Sequence, residues 1–224
     1  TRAYEQANQL MLAREEALAL EFLGDVCRDE GKLDMARRYY SRALAIGTSL
    51  APDGDIVVEV MRRQGQVLGE MGRHSEAVST LGRSLVLARR QGDSYEEGLG
   101  RRALARTFLE LGELQPALEH SLRSVDLLNG IGARFQWAQS QLLQTRILLA
   151  RLDGGLAEKP EIVLEEAWRG ALAALDPFLQ AGGEHWIVET RTLLSDLTRR
   201  RALWEQIQQD AAAGHHHGPQ PILH

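Results

Sequence analysis

A single cysteine, Cys27, stands in the 224 residues, so an internal disulfide and a cysteine-based zinc site are both excluded. One unpaired thiol also suits a reducing, cytoplasmic compartment. Aromatic residues make up only 5% of the chain, and runs of β-branched residues are nearly absent, while Leu and Ala abound. Sheet structure is therefore not expected. No apolar run approaches the ~18–20 residues that cross a bilayer, and the start lacks the basic-then-apolar order of a signal peptide. Basic charge is not in excess: 31 acidic residues face 26 basic ones, a net charge of −5, which excludes a general affinity for nucleic-acid backbone. What is there is ordinary for a folded chain, 44% hydrophobic and 25% charged, and long enough for one large domain or two small ones. The text opens at Thr1, without methionine and in what reads as mid-helix, so the chain is expected to be a piece of a longer protein.

The positive content is an internal repeat. Leu23–Leu44, Gln64–Leu85 and Leu104–Val125 align, with turn glycines Gly31, Gly72 and Gly112 spaced 41 and 40 residues apart. Small residues Ala36, Ala77 and Ala117 keep the same intervals, as do bulky Cys27, Leu68 and Phe108, and as do Gly24, Gly65 and Ala105. Each copy reads as a helix, a short turn at its glycine and a second helix. Glycine suits that corner because a left-handed cap costs it least. Gly24, Gly65 and Ala105 let backbones approach closely. Ala36, Ala77 and Ala117 mark a crossing point on the second helix. Four and seven residues later, Tyr40 and Ala43, Leu81 and Ser84, or Ser121 and Ser124 share that face. One hairpin cannot cover its own apolar stripe, but stacked hairpins can, which predicts an all-α solenoid.

These columns resemble the tetratricopeptide repeat (TPR), in a longer variant of about 40 residues rather than the usual ~34. The chain departs from the family where Leu20, Met61 and Arg101 replace its early tryptophan, and where its proline after the second helix is missing. The resemblance implies a right-handed TPR-like solenoid of about three to four hairpins, expected at 13–49, 55–91, 94–131 and a degenerate 133–182. In the last, Ala133–Leu152 and Glu161–Leu175 would be the helices, the second stopped by Pro177. Residues 1–12 would be the tail of a truncated preceding helix, 183–213 a long capping helix, and 214–224 a flexible linker. Trp137, Trp168, Trp186 and Trp204 all fall in the C-terminal half and read as plugs for the end of the stack.

Chemical motifs fail on context. Gly98-Leu99-Gly100-Arg101-Arg102-Ala103 has the letters of a dinucleotide loop but lies inside a predicted helix with no strand before it. Gly31-Lys32 lacks the rest of a P-loop. His185 and Glu189 sit one turn apart, as a surface pair does, Cys27 occupies an apolar column, and His74 and His120 have no repeated partner. His215-His216-His217 lies among Gly214, Gly218, Pro219 and Pro221, as linkers do. No catalytic residue, cofactor or metal site is expected.

In a TPR-like superhelix the first helices line the concave surface, which is the surface that binds. Placing them in register points Glu21, Asp25 and Arg28 inward from the first unit. Glu59, Arg62, Gln66 and Glu70 follow from the second, Arg102, Arg106 and Glu110 from the third, and Gln139 and Arg146 from the fourth. Arg62–Arg102 and Arg106–Arg146 each keep the 40-residue step. Rows of guanidinium groups would offer forked donors to carboxylates or phosphates, and a basic inner stripe on an acidic chain would favour an acidic peptide or partner segment. Those same arginines also stand where Glu59, Glu70 and Glu110 could absorb them. Glu21 and Asp25 carry the wrong charge for the clamp of co-chaperone TPRs. The resemblance extends in texture to TPR regions of bacterial regulators, including transcription activators with an ATPase domain. It implies a non-catalytic interaction or sensor module that binds a peptide, a partner protein, an acidic segment or another domain of its own chain. No nucleic acid or membrane is expected as a partner. The alternative is a structural scaffold or homo-oligomerisation domain that associates through the solenoid ends.

Overall fold

The computed structural model describes residues 2–212, and the expected linker with His215–His217 lies outside them. No strand occurs among the described residues. The chain divides into two compact units, Thr1–Leu111 and Gly112–His224. The first holds α1 (Arg2–Asp29), α2 (Leu33–Leu50), α3 (Asp55–Glu70), α4 (His74–Gln91) and α5 (Ser94–Glu110). The second holds α6 (Leu114–Gly130), α7 (Arg134–Asp153), α8 (Pro160–Ala181) and α9 (Glu184–Ala212). The division falls inside the third repeat.

The repeated glycines are the corners. Gly31, Gly72 and Gly112 have φ of +73°, +74° and +75°, the left-handed backbone that side chains resist. At the first two, the amide after the glycine donates to the carbonyl of Cys27 or Leu68, five residues back, and so closes the helix end. Gly155 turns the end of α7 in the same way, at φ +67°, with Leu156 N–H bonded to the Arg151 carbonyl.

In the first unit α1 packs on α2 and α3 on α4, while α2 also meets α3, and α4 meets α5. The first helices α1, α3 and α5 lie side by side. Their core is Ala17, Leu20, Cys27, Ala36, Tyr40, Ala43, Ile56, Val60 and Val67, continued by Leu81, Leu85, Ala103 and Leu104. The small-residue column does what its position predicts. A Cβ on Gly24 would lie 2.4 Å from the Tyr40 ring, and one on Gly65 2.6 Å from Leu81 Cγ. The later polar column is used too: Ser84 Oγ donates to the Val58 carbonyl at 2.8 Å, fastening α4 to α3.

The second unit packs α6 on α7, α7 on α8 and α8 on α9. Pro177 does not stop α8, which runs on to Ala181. The proline gives up one backbone hydrogen bond. Beyond it, fully buried Phe178 meets Phe135 edge-on at 5.5 Å and stacks on Trp186 at 5.6 Å, contacts that hold the last turn in place. Trp137 joins that cluster, while Trp168 and Trp204 pack around Leu164, Ala167 and Leu197. At the other terminus, Arg2–Asp29 is one continuous helix, because Glu, Gln, Ala and Leu run through residue 12 without a breaker.

Candidate functional site

The side chains that α1, α3 and α5 present to one another form a charged network. Arg28 Nε donates to Glu70 Oε1 at 2.9 Å, bridging α1 to α3. Gln66 Oε1 accepts from both Arg28 and Arg62, at 3.4 and 3.2 Å. Arg62 then reaches α5, with Nε to Glu96 Oε2 at 2.6 Å and Nη2 to Glu96 Oε1 at 3.2 Å. Predicted residues Arg28, Arg62 and Gln66 are thus brought together with Glu70 in one chain of contacts.

A second group forms around Arg63, which the register argument missed. Its guanidinium meets Glu21 at 2.9 Å, Asp25 at 3.2 Å and Glu59 at 3.4 Å, three carboxylates on one cation. Tyr40 donates its hydroxyl to Asp25 at 2.6 Å. Glu21 is buried, and loss of water raises its pKa to about 7, with Arg63 opposing and Glu59 and Asp25 adding to the rise. Glu21 Oε2 has no hydrogen-bond partner among the described residues. Burial likewise raises the Glu59 and Glu110 pKa values. Glu110 lies 3.6 Å from the His74 ring.

Arg102 and Arg106 lie on the same helix face one turn apart, Arg102 half-buried and Arg106 exposed. Loss of water, then the charges of Arg62 and Arg106, lowers the Arg102 pKa to about 9, while Tyr95 opposes. Like charges therefore gather here, and carboxylates gather around Arg63. Glu21 and Arg62 were expected as exposed contacts, yet each is only 6% exposed because each is spent on a neighbouring helix. In the second unit Arg146 of α7 pairs with Glu189 of α9, and Gln139 is half-buried. The recurring rule is an arginine on one first helix bonded to a carboxylate on the next, as in Arg14–Asp55, Arg28–Glu70 and Arg62–Glu96. A separation of 34 to 42 residues is its only trace in the sequence.

The apolar and histidine candidates settle differently. Cys27 is a buried free thiol in the core. Gly98–Ala103 is helical, inside α5. His185 lies 3.5 Å from Glu189. Trp168 receives Arg201 of its own chain, 5.4 Å from the ring. No group of three metal-ligating side chains occurs among the described residues, and none of the described helices is long and apolar enough to cross a membrane.

Helices paired at left-handed glycine corners, with small residues at the crossings, define a helical-repeat protein. Residues 15–90 match the family model of the tetratricopeptide repeat, and a solved structure of like fold carries TPR-like repeats. A Rap protein complexed with Competence and Sporulation Factor superposes with a TM-score of 0.62 at 14% identity, over 84% of this chain and 65% of that one. BtubC (BKLC) from P. vanneervenii gives 0.56 at 15% identity, over 99% and 96%. A protein of kinesin-light-chain type from Podosopora anserina, with nearly identical TPR-like repeats, gives 0.58 at 15%, over 86% and 98%. The chain thus spans less than two thirds of the Rap protein's length. No curated protein sequence matches it. Folds of this kind are typically non-catalytic and generally mediate protein–protein interaction through the faces their stacked helices expose.

Proposed function

We propose that the chain is a non-catalytic interaction module whose first unit binds an acidic peptide or partner segment on the face formed by α1, α3 and α5. The observation that carries this is geometric: Arg102 and Arg106 lie one turn apart on one face of α5, the second exposed, so a carboxylate arriving at that face meets two guanidinium groups. Glu21, Asp25, Arg28 and Gln66 form the adjoining, internally balanced part of that surface, and Gln139 and Arg146 its counterpart in the second unit. The Rap protein of like fold holds a bound factor, which is compatible with a sensor role. On this reading the module serves a larger bacterial, cytoplasmic regulator, signalling or transcriptional, and restrains or recruits its effector.

The test uses Arg102 and Arg106, since reversing Arg62 would strand Glu96. A fluorescent peptide carrying Glu-Glu-Asp should bind, and Arg106→Glu with Arg102→Gln should weaken it at least ten-fold. Arg38→Glu, an exposed α2 control, should leave binding unchanged. Equal loss in all variants, or binding of the Glu-Glu-Asp peptide no tighter than a neutral one, would overturn the proposal.

A second reading has its own observation. Met11, Leu18 and Phe22 make an apolar stripe on α1 that is 62%, 43% and 67% exposed. That stripe suits a scaffold that joins copies of the chain through a helix face.

A further inference from the structure

The second unit contains a groove that the network above does not use. It runs between α6 and α8 over α7, as a cavity of about 580 Å³. Leu122, Val125, Leu148 and Ile162 make its walls, and Gln144 and Glu166 supply polar groups. Gln144 is out of place by the logic of the repeat. Counting eleven residues back from the corner glycines Gly31, Gly72, Gly112 and Gly155 gives Leu20, Met61, Arg101 and Gln144. Leu20 and Met61 are buried apolar residues, so the fourth unit puts an amide where the first two put hydrocarbon.

That amide is poorly provided for. Gln144 is 7% exposed, and its Oε1 has no hydrogen-bond partner among the described residues. Its Nε2 reaches Glu166 Oε1 at 3.4 Å, a long contact. The amide cannot gain by flipping, because the flip would set its oxygen against the carboxylate. A buried carbonyl left unpaired forfeits its hydration without replacement, so a donor that reached it would recover binding energy.

The rim states the charge of that donor. Glu161, Glu165 and Glu166 all line the groove. Glu165 is taken up by Arg169 at 2.6 Å and Arg201 at 2.9 Å. Glu161 and Glu166 have no ion pair among the described residues. Arg169 lines the groove as well, but three carboxylates against one guanidinium leave the opening net acidic above apolar walls, which matches a side chain with a hydrocarbon stem and a cationic head.

We propose that this groove is a second binding site, for an arginine side chain presented by a partner segment. Its guanidinium would pair with Glu166 and displace the long Gln144 contact. The freed amide would then turn its carbonyl to another N–H of the fork. Arginine fits better than lysine because one planar head supplies donors to both groups at once. The occupant differs in charge from the acidic segment proposed for the first unit, so the two sites can be tested apart.

The probes are the capped tripeptide acetyl-Leu-Arg-Leu-amide and its citrulline counterpart, a neutral near-isostere. Both are titrated into the full chain and followed by NMR of the glutamine side-chain amides. The arginine peptide should shift the Gln144 amide and bind at least ten-fold more tightly than the citrulline peptide. Gln144→Met, which restores the residue type of Met61, should keep the fold and lose at least five-fold in affinity. Glu166→Gln, an exposed change that cannot threaten folding, should lose as much. Equal binding of the two peptides, an unmoved Gln144 resonance, or unchanged affinity in Glu166→Gln would each overturn the proposal.

Discussion

Arg62 and Glu96 close a two-point ion pair between α3 and α5, their side chains only 7% and 6% exposed. Two charges withdrawn from water hold each other, so removing one strands the other. Arg62→Ala should cost the first unit about 3–5 kcal/mol in urea unfolding. The double change Arg62→Met with Glu96→Leu should cost far less, because no buried charge is left. A double variant as unstable as the single one would show that packing, not charge, holds this junction.

Glu21 makes stability depend on pH. Its folded pKa of about 7 lies above the unfolded 4.5, so the folded state binds this proton more tightly. The stabilisation is complete below pH 4.5 and is lost as pH rises toward 7. The shift corresponds to at most ~3 kcal/mol. Glu59 and Glu110 shift in the same direction, while Asp55, held by Arg14, shifts the opposite way. Glu21→Gln should flatten the fall in unfolding free energy between pH 5 and 7.5. An identical slope in both proteins would place the titration elsewhere.

Two kinds of helical glycine should respond oppositely to alanine. At Gly65 the added methyl would run into Leu81, so Gly65→Ala should destabilise by roughly 1–3 kcal/mol. At Gly82, inside α4, a Cβ meets nothing within 4 Å. Gly82→Ala should therefore raise stability by about 0.5–1 kcal/mol through helix propensity alone. Thermal melts of the two variants against the parent separate the cases.

The corners and crossings were legible because each repeats at fixed spacing: Gly31, Gly72 and Gly112 need a left-handed backbone, and Gly24 and Gly65 need room. The family resemblance followed from the same columns. Pro177 misled because its cost is local, whereas the burial of Phe178 that outweighs it is tertiary. The site was only half legible. Helical register placed Arg28, Arg62 and Gln66 on one shared face, where they do meet, but is blind to what crosses from the next helix. Register alone therefore could not show that Arg62 is spent on Glu96, or that Arg63 gathers three carboxylates. Gln144 did leave a signal, an amide in the column that the first two units fill with Leu20 and Met61, visible only after Gly155 is recognised as the fourth corner.

The stripe of Met11, Leu18 and Phe22 carries the scaffold reading and fixes its test. The three side chains fall within about 40° of one another around α1, so a second helix could lie along all of them. Burying them would remove enough apolar surface from water to contribute a few kcal/mol, at about 25 cal/mol per Å². Association would then be weak, read in sedimentation velocity as a sedimentation coefficient that rises with concentration over tens to hundreds of micromolar. Phe22→Glu should abolish that rise and leave the melting temperature unchanged, because the ring is 67% exposed and supports no core. High salt should not weaken the association, since its driving force is apolar. A coefficient independent of concentration would remove the scaffold reading and leave the peptide-binding face as the function of the first unit.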